Sequence, residues 1–532
     1  MLVLEPARRK ARAQDFFSAK RVPPMPYRRQ PFDYEPVTRS PRRLSLGEGG
    51  TVAEAWPVST QSSVPDDTAY ALPILPEASL QSVAKSRASR VLKRGHALTF
   101  AALFLFTIVL YIRPAELYPS PLTASIAFAV GLITLIIFVP SQFALEGTLT
   151  ARPREVNLVL LLCLTGLLSI PFAKISAGDA WAEFSGIFIR AVVMFIVIVN
   201  AARTERRLRW LLLLALGMGC VLGVGAVNNY RLGNFAVEGY RVAGVGGGLF
   251  GNPNDMALHL VTMIPIAVAF CLSTRGVLRK ILYGACIVLM TGGIFVTFSR
   301  GAFLAFVAVA IMLAWKIGHR YRVILVPLIL FTLVLFFAVA PGEFANRILS
   351  IVDHSRDAVG SADSRTELLF QSIRVALRNP LFGIGMGNFH YVSIGERVTH
   401  NAYTQVGAEM GLAAFIIYTM FIVAPFKRLR QIERDSFSVR KPSRFYYLAV
   451  GLQVSLVAYM VASFFASVAY SWSLYYLVAY AVALRRIYEA SILEDGNTSR
   501  NVKGEAAGGR IAALNRFVVF DTPGSMSEDA RL

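Results

Sequence analysis

The feature that most constrains this chain is a recurrence of long apolar blocks, at about 97–112, 121–143, 156–172, 184–202, 208–227, 253–272, 280–298, 302–315, 323–340, 402–425, 445–465 and 468–484. A helix needs about 20 apolar residues to cross the hydrocarbon core of a bilayer, with roughly 17–25 observed. Inside lipid every backbone N–H and C=O must be satisfied within the protein, and a helix does this segment by segment. The blocks therefore predict an all-α, polytopic integral membrane protein of about twelve transmembrane helices, in which 97–112 and 302–315 borrow flanking residues to reach full length. Composition agrees, since 55% of the 532 residues are hydrophobic and only 16% charged, where a soluble protein carries roughly 25% charged residues.

The Lys/Arg bias of short loops sets orientation. With the first span leaving the cytoplasm, the inner loops carry nineteen basic residues, from Arg152 through the Arg203, Arg275 and Lys316 clusters to Arg444. The short outer loops carry five, Arg113, Lys174, Arg231, Arg241 and Arg300. Both termini are predicted to be cytoplasmic. The net charge of +21 is thus read as topology; membrane lipids are expected partners and nucleic acid is not. Residues 1–95 are rich in Arg, Pro and Ser and hold no apolar run long enough for a signal peptide or a span, which predicts a disordered basic cytoplasmic extension. Residues 96–484 form the membrane domain, and 485–532 read as a flexible cytoplasmic tail.

One segment breaks the rhythm: 341–401, between the ninth and tenth spans, is a large outer loop. Long loops without structure of their own are uncommon unless functional, and this one is expected to be partly helical. Ser364-Arg365-Thr366-Glu367 has capping-box form, Leu368, Leu369, Ile373 and Leu377 make an apolar stripe, and Pro380 ends the helix. The spacing predicts an amphipathic helix at the outer membrane surface, placed as a lid.

Three spans start at the outer face with unusual polar residues. The sixth opens at Asn252-Pro253-Asn254-Asp255, behind a glycine-rich run and Arg241; the eighth opens at Ser299-Arg300-Gly301; the tenth opens at His400-Asn401-Ala402-Tyr403. Helix N-termini attract anions through free N–H groups and the helix dipole. Arginine adds a planar fork that binds phosphate oxygens in pairs, so Arg241, Arg300 and Arg365 suggest an outer-face phosphate or diphosphate site. Each also has a plainer reading: Arg300 snorkelling to headgroups, His400 as an interfacial histidine beside a cap. Arg190, inside the fourth span, either faces a cavity or pairs with Glu183. Gly383-Ile384-Gly385-Met386-Gly387 follows no strand and makes a poor dinucleotide fingerprint, and the glycines before Asn252 are no P-loop. No metal site is expected, because no histidine falls in an HxxxH or HExxH pattern, and Cys163, Cys220, Cys271 and Cys286 lie inside apolar runs without CxxC spacing.

Taken together, these residues resemble the O-antigen ligase and polymerase superfamily. His400-Asn401-Ala402-Tyr403 followed by Glu409-Met410-Gly411-Leu412 is similar to its signature, a His-Asn-x-Tyr opening a span after a large periplasmic loop. Arg241 ahead of Phe250-Gly251-Asn252-Pro253-Asn254, the Ser299-to-Ala302 corner, Ser364-Arg365 and Asn379-Pro380-Leu381-Phe382-Gly383-Ile384-Gly385 follow in the family's order. The likeness covers roughly 97–484, with Thr404 where an aliphatic residue is usual and Ala413 where a second glycine often sits.

The resemblance implies a bacterial inner-membrane enzyme with its active site facing the periplasm. Such enzymes move a glycan from an undecaprenyl-diphosphate carrier to a glycan or lipid A–core acceptor without a cofactor. It implies diphosphate binding by Arg241 and Arg300, with Arg365 from the loop, and His400 as the base that activates the acceptor hydroxyl. Asn254, Asn401 and Tyr403 support them, while Glu409 is expected to make a structural hydrogen bond. Ligase, polymerase and protein O-oligosaccharyltransferase share this constellation. A lipid-linked glycan transporter is the alternative from another class, and it would place its ionisable groups at the midplane.

Overall fold

The computed structural model describes residues 95–237, 241–242, 244, 248–317, 361–438 and 443–517. The expected N-terminal extension, the span at 323–340 and the loop residues 341–360 lie outside the described residues, as do 518–532.

Among the described residues, nine helices are long and apolar enough to cross a membrane. In chain order the helices are α1 (Ala97–Ile112, with a further turn Pro114–Leu117), α2 (Pro121–Glu146), α3 (Arg154–Ser169), α4 (Ala177–Ala201), α5 (Glu205–Arg231), α6 (Pro253–Ser273) and α7 (Val277–Val296). They continue as α8 (Arg300–Ile317), α9 (Ser361–Arg378), α10 (Ala402–Met410), α11 (Leu412–Asp435), α12 (Arg444–Ser463) and α13 (Trp472–Phe517). The expected twelve spans are not reproduced among the described residues. Helix α3 has only 16 residues, and the block at 402–425 is two helices broken at Gly411. The last helix does not stop near 484 but runs through Phe517.

Helices α6 and α12 pack against each other at the centre. In each, 78% of the most apolar stretch is buried, against 17% for α2, whose Leu122, Phe128 and Ile136 face outward. Between helices that share a lipid solvent the drive to associate is close packing, which favours small residues at the contact. Gly451 of α12 meets Pro265 and Ala269 of α6, and Gly223 of α5 meets the backbone of Leu289 and Met290 in α7.

The described residues are overwhelmingly helical, as expected, with one short exception. A small antiparallel ribbon, β1 (Phe235–Val237) against β2 (Arg241–Val242), interrupts the helices between α5 and α6. It is only a few residues long, so its alternation is invisible among the surrounding apolar residues.

The described part of the 341–401 loop is ordered by α9, which begins at Ser361, about one turn before the expected cap at Ser364, and ends before Pro380 as expected. Its docked face is Leu368, Ser372 and Ala376, spaced by four and buried, with Val375 beside them. Leu377 is 64% exposed and Phe370 63%. The predicted stripe therefore splits into an inner face that packs on α10 and an apolar outer face.

Candidate functional site

The polar residues singled out at the three helix starts fall into two groups joined by one segment. In the first group, Asn252 caps α6 by accepting from Asn254 N–H at 2.8 Å, and Pro253 stands at the first helical position, where its missing N–H costs nothing. This turns the Asn254 side chain toward Arg241. Asn254 Oδ1 accepts from Arg241 Nη2 at 2.8 Å and from Ser299 Oγ at 2.9 Å. Arg241 Nε donates to the Thr297 carbonyl at 3.1 Å, and Arg241 is only 3% exposed. The ribbon delivers Arg241 from one side, and the α7–α8 corner receives it from the other.

That corner is only three residues long. Phe298 takes a left-handed conformation, φ 53°, which a non-glycine residue adopts at a cost of order 1–3 kcal/mol. The sharp reversal sets Ser299 at the start of α8 and buries Arg300 directly after it.

The second group centres on His400, again left-handed at φ 51°. Its backbone N–H donates to Ser467 Oγ at 2.8 Å, and Ser467 Oγ lies 3.0 Å from Thr399 Oγ1. Asn401 caps α10, accepting from Tyr403 N–H at 2.9 Å and Thr404 N–H at 3.0 Å, while its Nδ2 is buried and makes no hydrogen bond among the described residues. The ring of His400 likewise makes none among them. Burial pushes the imidazole down to about 4, and the nearby charges of Arg365 and Arg397 push it the same way.

The segment between α12 and α13 joins the groups. Phe465 packs so closely on the α8 start that a Cβ at Gly301 would stand 2.6 Å from its own Cβ. Two residues later, Ser467 holds His400. The α8 start that holds Arg300 and the backbone of His400 thus border one short stretch of chain, Arg241 is tied to that α8 start through Thr297 and Asn254, and Arg365 acts on His400 electrostatically from α9.

Behind His400 the glycine turn does structural work. Gly383, Gly385 and Gly387 all have positive φ, 69°, 99° and 70°. Ile384 N–H and Gly385 N–H bond the carbonyls of Ala408 and Glu409, each at 3.0 Å, so the turn docks backbone to backbone on the end of α10. A Cβ at Gly411 would lie 2.5 Å from the Leu381 carbonyl oxygen, which requires glycine at the break between α10 and α11. Tyr470 donates to Glu409 Oε2 at 2.8 Å, the structural bond expected of that carboxylate.

Tyr403 ties helices together, its hydroxyl donating to the Met460 carbonyl at 3.1 Å. Arg190 makes no ion pair with Glu183 among the described residues; it lines a separate groove of about 400 Å³ with Arg113, Phe128 and Ile187. Among the described residues no cluster of His, Cys, Asp or Glu could hold a metal ion. Sequence reasoning missed Ser299 and Ser467 as anchors and Arg397 beside His400. Ser467 is 67 positions from His400 and belongs to no motif, so nothing in the sequence signals it.

Residues 285–419 match the family described as O-antigen ligase. This part of the chain is similar to that family, and it is about a quarter of the whole. The O-antigen ligase segment runs from within α7 to within α11 and contains Ser299, Arg300, Arg365, His400, Asn401 and Tyr403, whereas Arg241 and Asn254 precede it. The match, with the apolar helices, supports a membrane enzyme of the ligase/polymerase type, a family whose substrates are glycans and lipid-linked. Comparison with curated proteins finds no match.

Proposed function

We propose that this protein transfers a glycan from an undecaprenyl-diphosphate carrier to an acceptor hydroxyl at the periplasmic face of the inner membrane. The observation that carries the reading is that buried Arg241 is aimed by Asn254 and Thr297 at the α8 start, where Arg300 is buried, and that the chain packed on that start at Phe465 also holds His400 through Ser467. In the reaction the acceptor oxygen bonds the anomeric carbon as the bond from that carbon to the diphosphate oxygen breaks. The acceptor's proton passes to a ring nitrogen of His400, and the bond electrons leave on the lipid diphosphate.

Arg241 and Arg300 stabilise that developing charge. Guanidinium groups held in place before the reaction cost no reorganisation at the transition state. Two of Arg241's bonds go to neutral oxygens, Thr297 O and Asn254 Oδ1, which aim the guanidinium without cancelling its charge. His400 stays neutral at pH 7, since burial and two arginines hold its pKa at about 4. That value alone would make it a weak base. An anionic diphosphate beside Arg365 offsets their positive field, so donor binding raises the basicity of His400 when a proton must be accepted. Asn401 Nδ2 is the donor left to meet a ligand oxygen.

Polymerisation and ligation are the roles proposed, with transfer to a protein as the alternative that shares the same constellation. The test uses purified protein with its lipid-diphosphate-linked repeat unit and no other acceptor, and the products are resolved by size. A ladder from the wild type that vanishes in His400→Ala supports a polymerase with His400 in its mechanism. A band shift only after lipid A–core is added supports a ligase. An unchanged donor in both, and with protein acceptors, overturns transfer and leaves transport.

A further inference from the structure

At the other end of the bundle from His400, a cavity of about 640 Å³ opens among the starts of α5, α7 and α12 and the end of α6. The ends are opposite because α12 starts beside α5, where Arg444 pairs with Glu205 at 3.6 Å, and finishes one helix length later, just before Ser467. The Lys/Arg bias makes this the cytoplasmic end.

Four arginines line the cavity, Arg209, Arg275, Arg279 and Arg444, against one carboxylate, Glu205. Arg209 is half-buried, with its guanidinium 5.7 Å from the centre of the Phe270 ring, a contact that fixes its position and leaves its N–H groups available. Arg275 and Arg279 form no ion pair among the described residues. Three long helices point their N-termini here. The cap of α7 is Gly276, which has no side chain to cover the first N–H groups.

The rim next to this basic cavity is apolar. On α7, Val277 is 72% exposed, Leu278 80%, Ile281 63% and Leu282 59%. A free anion gains nothing from that flank. A molecule with a phosphate head and acyl chains uses both, and basic pockets between transmembrane helices on the cytoplasmic side suit acidic headgroups. We propose that this cavity binds the headgroup of an acidic phospholipid, with the acyl chains lying along the exposed face of α7. The site is separate from the transfer site, and the proposal stands whether or not the transferase reading does.

Native mass spectrometry of the full chain, released from detergent after incubation with phosphatidylglycerol or phosphatidylcholine, tests this. The wild type is expected to retain phosphatidylglycerol selectively. Arg275→Gln/Arg279→Gln is expected to weaken retention about thirtyfold, or about 2 kcal/mol at about 1 kcal/mol per basic residue. Arg275→Lys/Arg279→Lys keeps the charge and should keep most of the binding, which separates loss of the site from loss of the fold. Equal retention of the two lipids, or equal retention by wild type and the Gln variant, overturns the proposal. So does displacement of the lipid by millimolar inorganic phosphate, which would mean that the site takes a free anion.

Discussion

His96 and His400 stand at opposite ends of the bundle and resemble each other closely. Each is left-handed, φ 57° and 51°, each comes just before a helix, and burial pushes each imidazole down to about 4. Their surroundings differ. His96 is 4% exposed, and its Nδ1 lies 3.0 Å from Ser141 Oγ and 3.3 Å from Thr99 Oγ1, which joins the start of α1 to α2. His400 is held through its backbone, and its ring makes no hydrogen bond among the described residues; each ring lies in the field of two arginines, Arg203 and Arg207 at His96, Arg365 and Arg397 at His400. A depressed histidine pKa therefore reports burial at both ends, and the two rings differ in what holds them.

The comparison breaks most visibly in a paired substitution. His400→Ala should lower glycan transfer by about 10²–10⁴-fold, the usual share of a general base. His96→Ala should keep turnover within about twofold and lower the melting temperature instead. Equal losses of turnover, measured on protein of matched folding, would erase the distinction.

Arg241 and Asn254 give the next largest contrast. Removing a preorganised charge donor costs about 10²–10³ in rate, so Arg241→Ala should fall in that range. Asn254→Ala only frees the guanidinium to wander, and a loss of about tenfold is expected. Turnover measured at saturating donor orders the two, and the reverse order would make Asn254 the group that touches substrate.

The pH profile gives a finer test. As a base, His400 acts when neutral, so activity is lost as pH falls through its pKa, about 4 in the free enzyme. Arg365→Gln removes a charge that lowers this pKa, so the acid limb of kcat/KM should move up. It should stop short of the ordinary 6.5, because burial is the larger cause. A limb that stays in place would remove Arg365 from the neighbourhood of the base.

The smallest effect is expected at Tyr403. Tyr403→Phe loses one hydroxyl bond to the Met460 carbonyl, worth about 0.5–1.5 kcal/mol of stability. Turnover should stay within about threefold, and a larger drop would draw the hydroxyl into the chemistry.

Much of this molecule was legible without coordinates. Spans are forced by length and hydropathy, since lipid offers the backbone no alternative partner, and the boundaries of α2, α5, α6 and α12 lie within a few residues of the apolar blocks. Asn252-Pro253 and Asn401 were readable as caps because capping chemistry is local. The break at Gly411 was hidden, because the apolar run crosses it unchanged and only the docked turn from Pro380 to Gly387 forbids a Cβ there. Helix α9 concealed most of its docked face for a similar reason: of Leu368, Ser372 and Ala376 only Leu368 belongs to the apolar stripe, and packing against α10 selects the small Ser372 and Ala376.

The sequence by itself determined that this chain is a membrane helix bundle, which residue types could handle a diphosphate, and which short motifs hold them. Tertiary structure alone decided that Ser299 and Asn254 aim Arg241, that Ser467 holds His400, and that Arg397 stands beside it. The reason is physical. Span formation and capping depend on the solvent and on neighbours a few residues away, whereas aiming a side chain depends on whichever distant segment packing brings to its side.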